Sequence, residues 1–169
     1  MSRAVFGGAV MIYLQMILYC LFYMGLVKLY VGNNAVNALY FYPKPVQERA
    51  IALGLTDAET VARKRKQFLF GFSIAILAAL VLIIGGWNGV RDFKTAYLQA
   101  LLFLEVVNWF DGIVIDRLWV GHSKFWAIPG TEDIPFVKPW KTVLTKRSLA
   151  MLAWAVIAAV VAGLVILIF

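Results

Sequence analysis

Four stretches of this chain are each long enough and apolar enough to cross a bilayer, and that pattern limits the fold more than any other feature. Residues 5–31, 67–86, 94–119 and 147–169 are nearly continuous runs of aliphatic and aromatic side chains. About twenty such residues, rising 1.5 Å each as a helix, cover the roughly 30 Å of a hydrocarbon core. The expected fold is therefore all-α, a four-transmembrane-helix bundle forming one integral membrane domain over residues 1–169. Composition agrees, with 63% hydrophobic residues and only 15% charged, far less charge than a soluble domain of this length carries. The first run is too long for a signal-peptide core and lacks a convincing cleavage site after it, so it is read as a retained span.

The formal net charge is +7, but the basic residues gather at the ends of the apolar runs. That distribution argues against a nucleic-acid partner and for a lipid bilayer. Lys44, Arg49, Arg63, Lys64, Arg65 and Lys66 lie between the first two runs. Lys124, Lys138, Lys141, Lys146 and Arg147 lie between the last two. The opposite side has only Arg3, Arg91 and Lys94. The bias predicts two cytoplasmic loops and external termini in a bacterial plasma membrane.

The first loop has its own structure. Pro43 and Pro45 open a short amphipathic helix, VQERAIAL, and Gly54 closes it. Thr56 to Glu59 reads as a capping box that starts the second span as an overhang near Asp57. The second loop, rich in proline and aromatic residues, turns at Pro129-Gly130. Its segment from Phe125 to Pro135 is expected to fold back over the cytoplasmic end of the bundle. Cys20, the single cysteine, has no disulfide partner in the chain and is read as a packing residue.

The third run, Phe93 to Val120, carries Glu105, Asn108, Asp111, Asp116 and Arg117. A carboxylate at the bilayer centre costs at least ~2.5 kcal/mol, so three in one span imply partners, an internal hollow, or both. At about 100° per residue, Glu105, Asn108, Asp111 and Asp116 share an arc of roughly 140°, with Trp109 beside Glu105. Glu105 is the deepest. Asp111 lies about 9 Å and Asp116 about 16 Å nearer the cytoplasm, and His122, the only histidine, follows at the inner mouth. Gln15, Tyr19 and Tyr23 recur every four residues on the first span, with Lys28 at the depth of Asp116. That face is expected to pack on the stripe, with Lys28 close to Asp116 or Asp111. Glu105 has no cation at its depth and is expected to be neutral or hydrogen-bonded, for instance to Gln15. A neutral acid can serve as a proton donor.

One reading is a membrane-embedded enzyme acting on a lipid-like molecule in a polar cleft open to the cytoplasmic side. Glu105, Asp111 and His122 would be its acid–base groups. Asn108, Trp109, Tyr19, Tyr23, Gln15, Asp116 and Lys28 would line the cleft, and Trp109 would offer its π face to a cationic intermediate. Carboxylates, one histidine and intramembrane tryptophan in a small bundle are similar in residue type to the emopamil-binding-protein family of sterol isomerases. No motif aligns, so no residue role carries over. The alternatives are a proton- or cation-coupled transporter or channel subunit, which would call for a homo-oligomer, and an accessory subunit whose stripe docks a partner helix. A metal held by Asp111, Asp116, His122 and Glu132 or Asp133 is chemically conceivable. However, no paired-histidine motif supports it, and the reading assigns no metal and names no cofactor.

Glu48-Arg49-Ala50 shares a dipeptide with the four-span glutathione and eicosanoid enzymes, but Leu53 and Thr56 stand where their pattern needs a small residue and an asparagine. The stretches VQERAIALGLT and NWFDGIVIDRLWVGHSKFWAIPGTED resemble a group of small four-span bacterial integral membrane proteins. That resemblance implies the fold and no activity.

Overall fold

The computed structural model describes the backbone from Ser2 onward and the side chains of residues 11–169. Arg3, counted above on the outer side, and the first residues of the first span fall outside the described side chains. The chain is all-helical, and four of its helices are long and apolar enough to cross a membrane. Helix α1 is Ser2–Val31. A 3-10 turn, Ala35–Phe41, leads to the short helix α2, Lys44–Ala52. Helices α3 (Ala58–Trp87), α4 (Phe93–His122) and α5 (Trp140–Ile168) follow.

Local chemistry sets these boundaries. Pro43 precedes α2 and Pro45 occupies its first turn, where the missing N–H costs nothing. Gly54, at φ +71°, ends α2 in a left-handed conformation that a β-carbon would strain. The cap of α3 is Asp57 rather than Thr56: its carboxylate accepts from the Thr60 amide at 2.7 Å and the Thr60 hydroxyl at 2.8 Å. An aspartate reaches the amide three residues on without help from Glu59, so the expected box gives way to a single-residue cap. Asp92 caps α4 in the same way through Thr95, at 2.9 Å.

The last helix begins at Trp140, well before the apolar run at 147. Pro139 stops the chain from continuing backward, and α5 overhangs the apolar stretch by two turns. Arg147, counted above with the loop charges, therefore sits on a helix and faces its neighbour.

Helix α4 is central, touching the other three long helices, and its largest interface is with α5. Small side chains allow the close approach: Ala96 and Ala100 on α4, and Ala158 and Ala162 on α5, are completely buried. Helices α1 and α3 are joined by aromatic contacts, including Tyr23–Phe72 at 4.9 Å and Tyr30–Phe68 at 5.4 Å between ring centroids. Each such edge-on pair adds about 0.5–1.5 kcal/mol beyond its area.

Both loops lie at the same end of the bundle, and together they cover it. Trp126, Ile128 and Thr131 of the second loop are buried, and the Tyr42 hydroxyl donates to the Trp126 carbonyl at 2.7 Å. Cys20 is buried and free.

The α ladder widens into π turns three times, at Phe68–Phe72, Leu82–Trp87 and Asp111–Trp119. The third of these creates the candidate site.

Candidate functional site

In an α-helix, residues five apart point about 140° away from each other. A π turn, closed by a hydrogen bond from i to i+5, brings them onto one face. Asp111 and Asp116 are five apart and lie inside the wide segment of α4, where the Val120 amide still bonds the Ile115 carbonyl in the i+5 pattern. The winding therefore gathers the two carboxylates that a regular helix would have splayed.

Arg147 of α5 meets both. Its Nη2 lies 2.9 Å from Asp116 Oδ2 and also pairs with Asp111 Oδ2. Lys138, just before α5, donates to both Asp116 oxygens at 3.0 Å. The cluster therefore holds two anions and two cations, with the side chains of Asp111, Asp116 and Arg147 only 17–19% exposed. Asn108 supports it from one turn away, donating from Nδ2 to the Arg147 carbonyl at 3.0 Å. Gly112 leaves room for it. A β-carbon there would come within 2.9 Å of Arg147 Nε and 3.2 Å of Val143.

The cluster forms one end of a cavity of about 290 Å³. The remaining wall is aromatic and apolar, with Phe68 and Phe72 from α3, Phe41 and Tyr42 from the first loop, and Trp126 and Phe136 from the second. Tyr23 of α1 also lines it, with its hydroxyl facing Asp111. Burial pushes the Tyr42 hydroxyl above the ordinary tyrosine value, so it stays protonated as the donor that holds Trp126. A hollow of this kind suits an amphipathic molecule: rings for its apolar body, and donors and acceptors for a polar end.

Three of the expected site residues, Asp111, Asp116 and Tyr23, thus line the cavity, and Asn108 braces its end through the Arg147 carbonyl without lining it. The others lie elsewhere. Lys28 pairs with neither aspartate; it donates to the Gly32 carbonyl at 2.5 Å and lies 4.4 Å from the Phe125 ring centroid. Helix α1 ends at Gly32, so its last lysine is drawn to its own free carbonyls. His122 is exposed, its Nδ1 3.2 Å from the carbonyls of Arg117 and Leu118 at the end of α4. It acts there as a helix-end residue. Arg117 stacks 4.7 Å from the Trp140 ring and donates to the Lys138 carbonyl.

Glu105 does not line the cavity. It is half-buried, and its polar neighbour among the described residues is Asn108, at 3.4 Å. Gln15 is fully buried but bonds Asn88 at 2.6 Å, and Asn88 in turn bonds Gln99. This amide cluster is at the opposite end of the bundle from Asp116. The Tyr19 hydroxyl donates to the Ile76 carbonyl at 3.1 Å. Trp109 is half-buried and does not line the cavity either. Among the described residues no three His, Cys, Asp or Glu side chains are grouped to hold a metal ion, since both aspartates turn to Arg147 and His122 turns away.

Sequence reasoning missed Arg147, Lys138 and the aromatic wall. Pro139 was the available signal: a helix starting just after it puts Arg147 two turns in, among the carboxylates of α4.

Fold and site together define an all-helical bundle, with four helices of membrane-crossing length, enclosing an aromatic cavity that ends in a buried ion cluster. No protein family, curated protein or solved structure matches the chain.

Proposed function

We propose that this protein is a multi-pass enzyme of a bacterial plasma membrane, with its loops cytoplasmic, that works on a lipid-like molecule by acid–base chemistry. The observation supporting the reading is the continuity of one cavity from aromatic wall to ion cluster. The apolar body of the substrate lies among Phe68, Phe72 and Trp126, and its polar end reaches Asp111, Asp116 and Tyr23. Asp111 takes a proton from that end as general base, and the Tyr23 hydroxyl facing it is the matching donor. Arg147 and Lys138 stabilise negative charge that develops there, more strongly than in water because the site is largely closed to solvent. Glu105, the deepest acid, has no role in this scheme.

A conduction path finds less support. Between the Gln15–Asn88 cluster and the ion cluster, Tyr19 and Phe103 pack edge to face at 5.7 Å, both essentially fully buried.

The test is mass spectrometry of small molecules that co-purify with the protein. The wild type should carry a lipid-like compound, Phe72→Trp should carry much less of it, and Asp111→Asn should retain it with the ratio of substrate to product changed. Equal retention in the filled-cavity variant would remove the cavity from the function. An unchanged ratio in Asp111→Asn would leave binding without catalysis.

A further inference from the structure

A second hollow differs from the first in a way that points to a different ligand. It lies between α2 and the first turns of α3, has a volume of about 440 Å³, and is lined by Tyr40, Gln47, Ile51, Val61, Arg65, Lys66 and Leu69 among others. In the first cavity the cations are neutralised by Asp111 and Asp116. Here no carboxylate lines the wall, and neither Arg65 nor Lys66 makes an ion pair or side-chain hydrogen bond among the described residues. Two nearby basic residues are engaged, Lys64 with Asn37 at 2.6 Å and Arg49 with Asp133 at 3.5 Å, while Arg63 is exposed and does not line the groove. Two exposed cations therefore sit over a groove floored by Ile51, Val61 and Leu69, with a positive field that nothing in the groove balances.

The groove also has a defined depth. From Phe68 to Trp87, roughly twenty residues span about 30 Å, the thickness of the hydrocarbon core. Arg65 and Lys66 immediately precede this stretch, at the level of lipid phosphates, while Leu69 and Phe70 are exposed on the apolar side. Charge, apolar floor and depth agree on one occupant. We propose that this groove binds a single anionic phospholipid, with its headgroup phosphate between Arg65 and Lys66 and the start of an acyl chain along Ile51, Val61 and Leu69. The site is independent of the ion-cluster cavity and of whatever reaction occurs there. It also gives the basic run a role beyond orienting the protein, since a specific site holds one lipid where a diffuse field holds many loosely.

The test is lipid retention by native mass spectrometry of the detergent-solubilised full chain, titrated with phosphatidylglycerol, phosphatidylcholine or inorganic phosphate. Phosphatidylglycerol should bind at least tenfold more tightly than phosphatidylcholine at the first bound position. Arg65→Gln/Lys66→Gln should abolish that preference, while Lys141→Gln/Lys146→Gln, with the same loss of charge elsewhere, should keep it. Ile51→Trp, which fills the groove and leaves both cations, should also lose the tight lipid. Equal losses in the two charge variants would overturn the proposal in favour of a diffuse field. Undiminished binding in Ile51→Trp, or inorganic phosphate displacing the lipid at millimolar concentration, would overturn it in favour of a bare anion site. Far-ultraviolet circular dichroism on each variant confirms that the helices are intact.

Discussion

Replacing Arg147 by methionine keeps most of the side-chain volume and removes the cation that Asp111 and Asp116 share. Asp116 retains Lys138, with both oxygens at 3.0 Å, so the loss falls mainly on Asp111, whose other close polar neighbour is the Tyr23 hydroxyl. Breaking a buried pair by removing one partner costs about 3–5 kcal/mol, because the remaining charge is left without compensation. Asp111 can take up a proton, which places the expected loss near the lower bound, about 3 kcal/mol. Adding Asp111→Asn removes the stranded charge and should recover part of the loss, giving a coupling energy of at least about 1.5 kcal/mol between the two positions. Reversible unfolding in mixed micelles of mild detergent and sodium dodecyl sulfate, followed by tryptophan fluorescence, measures all four corners of the cycle. A loss under about 1 kcal/mol for Arg147→Met, or simple additivity with Asp111→Asn, would refute the idea that this guanidinium holds the cavity end together.

Other perturbations test separate parts of the argument. Gly112→Ala should push Arg147 and Val143 aside and lower stability by about 1–3 kcal/mol in the same assay, whereas Gly121→Ala, whose β-carbon would meet only Val137 at 3.4 Å, should be nearly silent. Glu105→Gln should leave the co-purifying compound in place; its disappearance would return Glu105 to the site. Tyr42→Phe removes the bond to the Trp126 carbonyl, worth about 1 kcal/mol, and should speed hydrogen exchange in residues 125–135 without altering the cores of the long helices. The Thr60 amide holds the Asp57 carboxyl below the ordinary aspartate value of 3.8, so that cap stabilises α3 above this pH and is lost as the pH falls through the lower, folded-state value. The protection of the first α3 amides, measured relative to intrinsic exchange at each pH, should therefore fall in strong acid in the wild type and be low at every pH in Asp57→Ala.

Much of the architecture was legible in the chain because apolar length and helix-boundary residues are one-dimensional signals. The four long helices, the short helix opened by Pro43 and Pro45, and its stop at Gly54 could all be read from local chemistry. The site was legible only in part. Asp111, Asp116 and Tyr23 stand out as acids and a tyrosine among apolar neighbours. Depth alone pairs Lys28 with Asp116 or Asp111, and depth ignores the pull of the free carbonyls at the end of its own helix. Arg147, at the edge of an apolar run, looks like a topology signal until Pro139 is taken as a helix start. The arc computed for Glu105 to Asp116 assumed uniform winding, and α4 departs from that at Asp111. The aromatic wall comes from three separate regions of the chain, and no periodicity in any one of them announces that they converge.

The wide winding of α4 makes this site depend on a count rather than on a composition. Inserting one residue between Asp111 and Asp116 would keep both acids, the arginine and the aromatic rings, yet residues six apart point about 120° away from each other on an α-helix, and Asp116 would swing out of reach of its partners. In this stretch an insertion does more damage than most replacements.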